Sequence, residues 1–343
     1  MYTLSPFCAT RPVRVGLVGT GYAAKLRAET LQTDARSQLL AVVGHAPEKT
    51  EEFAQTYQAK ALPSWQNLVE RSDLDLVIVS TINRDHGAIV RRSLETGKHV
   101  IVEYPLSLDV REAEELIALA QAQNKLLHVE HIELLGGLHQ ALKQSLSAIG
   151  NVFYARYSTI NPQRPAPHRW TYQPDLFGFP LIGALSRLHR LTDLFGTVAT
   201  VSCQARFWGK SSEFYQACLC TAQLGFNSGI LAEVIYGKGE TLWQDERKFE
   251  VHGEKGGLIF DGDQGVLVQA EETTPINVGS RRGLFAKETG MVLDHLVEGT
   301  PLYVKPDASL YALKVADAAR RSAETGETVV IEPGQLKIFG RDE

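Results

Sequence analysis

Cysteine, net charge and long apolar runs are all scarce in this chain, and each scarcity argues against a class of protein. The four cysteines in 343 residues are Cys8, Cys203, Cys218 and Cys220, and none forms a C-x-x-C pair. A disulfide framework or a cysteine zinc site is therefore not expected. Cys218 and Cys220 alternate within an apolar segment, so they share one face of a strand and read as two small core residues. Lys and Arg number 35 against 40 Asp and Glu, a net charge of −5. That leaves no basic face for nucleic acid; any cluster of arginines needs a local explanation and points to a small anionic ligand. No apolar run approaches the roughly 18 to 20 residues of a membrane span, and the opening MYTLSPFCATRP lacks the apolar core of a secretory leader. The expectation is a cytoplasmic protein with no membrane segment. Internal repeats and low-complexity tracts are missing too.

What the chain does have is a full-sized apolar complement, 44% of its residues, and a length that suits two domains. Its organising stretch is VRVGLVGTGYAAKLRA, from Val13 to Ala28. Val13, Val15, Leu17 and Val18 predict a strand covered on both faces. Gly19, Thr20, Gly21, Tyr22, Ala23 and Ala24 then fit G-x-G-x-x-A. The first glycine permits the tight turn, the second lets backbone approach a pyrophosphate, and the small last residue lets the following helix pack on the strand. Free N–H groups and the positive end of the helix dipole would hold phosphates there. A second strand is predicted over residues 38–44. An NAD-preferring site carries Asp or Glu at its end, about 20 residues past the glycines; this chain offers Gly44 and His45, with Lys49 a turn later. Without a carboxylate to repel a 2′-phosphate, NADPH is favoured over NADH, with NADH a weaker possibility. The plainer reading of Lys49 is a solvated charge among Glu48, Glu51 and Glu52.

Strand and helix go on alternating. A short helix is predicted near 65–71, a strand at 75–80, a helix opening near Arg84, a strand at 99–103, a helix over 109–123 and a strand at 126–129. A doubly wound parallel sheet follows from that alternation. Ligands bind beyond the carboxyl ends of such strands, which makes Thr81, Asn83, His86 and Glu103 candidates on the cofactor side; Asn83 could equally cap a helix. The pattern changes near residue 150. Segments at 151–160, 198–208, 214–225, 229–237, 247–253, 256–261 and 265–270 alternate or run apolar between tight turns and predict a mostly antiparallel sheet. Helices are predicted at 181–195, 282–298 and 307–324. The Pro-rich stretch 161–180 is too long for a simple connection and is expected to overhang a site. The fold class is therefore α/β: a Rossmann domain over 1–130, with 1–12 a flexible extension, then an α+β domain with a large open sheet over 131–343. The helix near 307–324 is expected to return to the first domain.

Five segments, VRVGLVGTGYAA, HVIVEYPLSL, KLLHVEHIELLGG, FGFPLIGALSRLHRLTDLFGT and VGSRRGLF, carry a resemblance to the glucose-fructose oxidoreductase and inositol dehydrogenase family over nearly the whole length. Within that family the chain resembles the biliverdin reductases, the cyanobacterial type most closely. The resemblance implies NADPH-dependent reduction of biliverdin to bilirubin, with hydride delivered to the central methine carbon of the tetrapyrrole. Two departures from the sugar dehydrogenases of the fold have a chemical reading. Tyr104 stands where they place a lysine. Their D-x-G-x-H-x-x-D pattern becomes the run Ser186 to Asp193, so Ser186 replaces the first Asp and Arg190 the His. An acid/base pair for an alcohol is lost and two arginines are gained; arginine bonds carboxylates bidentately, and biliverdin carries two propionates. Arg187 and Arg190 share a helix face by spacing.

The resemblance thus nominates Arg187, Tyr104, Glu130 and His131 for catalysis, Arg187 first. Arg187, Arg190 and Tyr104, with Arg169 and Arg281, are nominated for substrate. The bland alternatives are surface helix charges for the arginines, a packed aromatic for Tyr104, and a mutually satisfied pair for Glu130 and His131. No metal site is expected, because His128 and His131 point to opposite faces of a strand. A sugar or cyclitol dehydrogenase and a non-catalytic NADP-binding regulator remain as other readings, and monomer and homodimer both stay open.

Overall fold

The computed structural model describes residues 11–209 and 213–332; Cys8 and residues 1–10 of the expected extension lie outside them. The chain falls into two compact units. One is built of residues up to Ile132 together with Arg282–Leu310, the other of Glu133–Arg281 together with the chain from Tyr311 onward.

The first unit begins β1 (Val13–Val18), α1 (Tyr22–Thr33), β2 (Ser37–Val43), α2 (Pro47–Thr56), β3 (Lys60–Ala61), α3 (Trp65–Val69) and β4 (Leu76–Val79). It continues α4 (His86–Glu95), β5 (His99–Val102), α5 (Val110–Ala122) and β6 (Leu127–Val129). The six strands order as β3-β2-β1-β4-β5-β6, and every neighbouring pair is parallel, which is the Rossmann order with its switch point between β1 and β4. The β-branched run of β1 and the whole of β4 are buried. The carboxyl ends of those two strands meet at Gly19, whose N–H bonds Val43, and Ser80, whose N–H bonds Val18.

The second unit contains α6 (Gly137–Ser145), β7 (Val152–Pro162), the short α7 (Pro174–Phe177) and α8 (Pro180–Gly183), and α9 (Ser186–Phe195). Then follow β8 (Val198–Trp208), β9 (Ala217–Phe226), β10 (Leu231–Gly239), β11 (Glu246–Gly253), β12 (Gly256–Asp261), β13 (Gln264–Gln269) and β14 (Glu272–Ile276). The chain goes on through α10 (Leu284–Glu298) and α11 (Pro306–Thr325) to β15 (Val329–Val330). Nine strands order as β14-β13-β12-β11-β7-β10-β9-β8-β15, antiparallel except for β7 against β10. That one parallel pair follows from the long crossover between them. Cys218 and Cys220 are buried, and the Cys220 thiol lies 3.5 Å from the thiol of Cys203.

Three expectations differ from the structure. Only the first turn of the helix near 307–324 joins the Rossmann unit, through Ser309; the main returning element is α10, where Val292, Leu293 and Leu296 share one apolar cluster with Ala24, Ala28 and Leu31 of α1. Each buried aliphatic of this kind contributes about 1.5 to 3 kcal/mol. Most of α11 belongs to the second unit, where Tyr311 receives the Val198 N–H and Ser322 the Cys203 N–H. The helix expected over 181–195 is broken, because α8 ends at Gly183, where a Cβ would strike the Phe177 ring. The stretch 161–180 is partly ordered into a 3₁₀ turn at Trp170–Tyr172 and α7. Among the described residues, no helix is long and apolar enough to cross a membrane.

Candidate active site

Gly19 has φ +126°, and a Cβ there would overlap the carbonyl of Ser80, so β1 can turn against β4 only with glycine at this point. A Cβ on Gly21 would meet nothing within 4 Å. Gly21 is also the N-cap of α1 and offers no side-chain acceptor to its first N–H groups. Open space above uncapped donors at a helix N-terminus suits a pyrophosphate, while buried Ala24 seats the helix on the sheet. Tyr22 is 76% exposed and edge-on to Phe285, with centroids 6.3 Å apart; Ala23 lies between these roles. At the end of β2, a Cβ on Gly44 would come within 2.7 Å of Thr20 Cγ2 and Thr50 Oγ1. The missing carboxylate there therefore has a packing cause too, and His45, exposed beyond it, is the residue open to a ligand.

Two candidates at the next strand ends turn inward. His86 is fully buried with Nδ1 2.7 Å from the Pro105 carbonyl oxygen and Nε2 3.2 Å from that of Thr81. Burial lowers its pKa, so a neutral ring ties together the segments after β4 and β5. Asn83 is buried at the start of the 3₁₀ turn Asn83–Asp85; the N-cap of α4 is Asp85, so Asn83 does not cap that helix. Tyr104 stacks on His131 with centroids 5.5 Å apart and planes 4° apart.

Beneath these residues lies a network of charges. The buried Arg27 guanidinium donates from Nε to Glu103 at 2.7 Å and from Nη2 to Glu288 at 2.7 Å. Burial alone would lower the Arg27 pKa, but Glu103 and Glu288 reverse this and hold it raised. Glu288 also bonds His128 at 2.9 Å and accepts from Tyr303 at 2.5 Å. Against its own burial, Arg27 and His128 bring its carboxyl down to about 2. Glu103 accepts a second bond from Ser80 at 3.2 Å. Glu130 differs: burial first, then Glu103 and Glu288, push its carboxyl well above the usual range, with Arg27 opposing. Its Oε1 accepts the Ile132 N–H at 2.7 Å, while His131 bonds Ser309 at 2.8 Å. The hydrogen bonds of Glu130 and His131 thus go to different neighbours.

In the second unit the arginines divide into two sets. Arg190, buried on α9, donates to Glu133, and Arg281 reaches the other oxygen of the same carboxylate at 2.8 Å. Burial raises the Glu133 carboxyl, but Arg190, Arg281 and Arg187 pull it down to about 2. Arg190 Nε and Nη1 are buried with no hydrogen-bond partner among the described residues. Arg187 lies instead over the sheet, 3.3 Å from Thr159 Oγ1 and 3.0 Å from Ser186 Oγ, with Cζ 5.4 Å from the Tyr236 ring centroid. The shared helix face is real, but Arg187 and Arg190 meet different partners. Arg169 is exposed just ahead of the 3₁₀ turn. Asp193, at the end of the altered motif, is taken up by His139 and Lys143 of α6.

Two residues in the second unit escaped sequence reasoning. Lys238, buried on β10, donates to the Thr171 carbonyl, with Nζ 3.8 Å from the Phe177 ring centroid and 4.8 Å from that of Tyr172. Burial lowers its pKa to about 8. Arg247 of β11 stands directly across from Thr159. Nothing in the strand patterns separated either from an ordinary polar position.

Residues 13–131 match the model of an oxidoreductase family with an NAD-binding Rossmann fold, and residues 143–331 match that family's C-terminal alpha/beta domain. Biliverdin reductase from Synechocystis sp. PCC 6803, solved in complex with biliverdin and NADP+, is 55% identical, covering 91% of this chain and 99% of that one with a TM-score of 0.90. Biliverdin reductase A of Mus musculus is 27% identical over 319 residues, 91% of this chain and 98% of that protein. A putative myo-inositol dehydrogenase from Sinorhizobium meliloti 1021 shares the fold at a TM-score of 0.76 and 20% identity, covering 93% of this chain and all of that one. Both domain matches and the cyanobacterial relative agree: the chain belongs to this oxidoreductase family, the glucose-fructose oxidoreductase and inositol dehydrogenase family, and groups within it with the biliverdin reductases.

Proposed function

We propose that the protein reduces biliverdin to bilirubin with NADPH, adding hydride to the central methine carbon. The observation that carries this reading is the 55% identity, over almost all of its length, to an enzyme solved with biliverdin and NADP+. When bound, the nicotinamide supplies the hydride. The chain's own residues do the rest. The Gly19–Ala24 turn holds the pyrophosphate with backbone N–H groups, and His45 meets the 2′-phosphate that no carboxylate repels. Tyr104, held flat against His131, walls the reacting ring. Arg187 engages a propionate and stabilises charge on the pigment as hydride arrives. The proton goes to a pyrrole nitrogen by way of water, because a guanidinium gives up a proton only above about pH 12. A sugar substrate fits poorly: position 104 has no lysine, and Arg190 is occupied by Glu133. The same reading places the protein in the cytoplasm, where NADPH is supplied.

The test is to mix purified protein with biliverdin and either NADPH or NADH and follow bilirubin absorbance. Bilirubin should appear with both cofactors and faster with NADPH. Oxidation of sugars or cyclitols with no turnover of the pigment would overturn the reading.

A further inference from the structure

Resting on that reading, we propose that Arg247 of β11 is the second propionate-binding residue, paired with Arg187 across one row of the sheet. Thr159 on β7 is the pivot. It faces Tyr236 on β10 and Arg247 on β11 in the strand register, and residues directly opposite on neighbouring strands point to the same face. Arg187 comes down from α9 onto that face, to Thr159 Oγ1 and over the Tyr236 ring. Arg247 thus stands on the strand next to the one that Arg187 reaches, and neighbouring strands run about 5 Å apart.

The neighbouring arginines already engage Glu133. Arg190 and Arg281 both bond Glu133, and the Arg190 Nε and Nη1 that make no hydrogen bond among the described residues are buried, so neither residue is the natural receiver of a second carboxylate. Arg247 is differently placed. Its side chain is 24% exposed, and among the described residues the only carboxylate within ion-pairing range is Asp263, 3.8 Å away and itself 84% exposed. A pair that open contributes little. Burial, with Arg281 and Arg190 nearby, works against its charge, and the Glu133 carboxylate that supports it is already shared by those two arginines. The two propionates of biliverdin sit on the inner rings, one on each side of the central methine. Two guanidiniums one strand apart would hold both and centre the methine between them.

The test compares wild type with Arg247→Ala and Arg247→Lys, using biliverdin and its dimethyl ester, by steady-state kinetics and by equilibrium titration of pigment absorbance. Arg247→Ala should raise KM and Kd for biliverdin about 10- to 100-fold, the range of a lost charge-assisted bond. kcat should stay within about threefold, since a group that only binds leaves it unchanged. Arg247→Lys should recover part of the loss, and the ester should bind wild type and Arg247→Ala alike. Unchanged affinity for the acid, or equal losses for acid and ester, would overturn the assignment. Wild type that binds biliverdin without reducing it would sink the proposed reaction and still leave the titration to decide Arg247. Wild type that does not bind the pigment would sink both.

Discussion

Around Arg27 in the first unit three carboxylates share one guanidinium, whereas around Glu133 in the second Arg190, Arg281 and Arg187 share one carboxylate, with Arg247 close by. The two excesses are resolved by different means. A carboxylate surplus can be cancelled internally by keeping a proton, and Glu130, the member with no direct bond from Arg27, is the one whose pKa is pushed up. Guanidiniums have no such outlet, since they do not deprotonate in proteins. The surplus around Glu133 therefore stays positively charged. The first cluster is therefore neutralised from within, whereas the second keeps an excess of positive charge, the kind that suits an anionic ligand.

The most damaging way to break the first cluster is Arg27→Met, which leaves Glu288 buried, and Glu103 half-buried, without their cation. The expected cost is about 3 to 5 kcal/mol in denaturant unfolding; a loss below about 1 kcal/mol would mean that the network is not structural. In the second unit Lys238 offers a cation that can yield its proton. With its pKa lowered to about 8 against about 10.4 unfolded, the unfolded chain takes up the proton first as pH falls. Stability should then drop between about pH 10.4 and 8, by about 3 kcal/mol in all. Lys238→Met should lack that slope, and parallel curves for the two proteins would contradict the burial argument. At the second cluster, Arg187→Ala should cost about 1.5 to 3 kcal/mol in transition-state binding, or about 10- to 150-fold in kcat/KM with biliverdin. Biliverdin dimethyl ester should show little difference from wild type. Arg190→Ala should act mainly on stability, by stranding Glu133, and should affect acid and ester alike. If Arg190→Ala instead singles out the acid, the Glu133 pair opens to admit a propionate.

What the sequence made legible is what is local. The run from Val13 to Ala24 places strand, turn and helix next to one another, so its pattern carried the whole geometry. The antiparallel strands were visible for the same reason: each turn joins neighbours. Distant partners were not visible. His86 looked cofactor-facing at a strand end, yet its Nδ1 partner is the carbonyl of Pro105, nineteen residues away. Arg190 looked available because its spacing from Arg187 is helical, but its partner Glu133 is 57 residues earlier. Gly44 read as a cofactor signal and is also a packing requirement set by Thr20 and Thr50. Val292, Leu293 and Leu296 gave α10 an apolar face, but nothing in that face says that α1 is what it covers.

The finest test of the comparison is Glu130→Gln, which should do almost nothing near pH 4. If Glu130 already holds its proton, the amide has nearly the same size and charge, and its carbonyl oxygen can still accept the Ile132 N–H that Glu130 takes at 2.7 Å. Near pH 4, where the unfolded chain also holds this proton, a change within about 0.5 kcal/mol is expected, the range of a substitution that breaks no interaction. The pH dependence gives the sharper readout. A carboxyl whose folded pKa is raised contributes stability that is complete below its unfolded value, about 4.3, and is lost as pH rises through the folded value, because only the unfolded chain releases the proton freely. Glu130 is raised by burial and by Glu103 and Glu288, so wild-type stability should decline from mildly acidic toward alkaline pH. The decline should vanish in Glu130→Gln, making the variant the more stable protein from neutral pH upward. Glu133 has the opposite sign: its carboxyl is held down at about 2, so its contribution is lost as pH falls from about 4.3 toward that value, and Glu133→Gln should weaken the fold at pH 7. A large loss from Glu130→Gln at neutral pH would mean that all three carboxylates around Arg27 are ionised, and the distinction between an acidic cluster neutralised from within and a basic one that keeps its charge would fail.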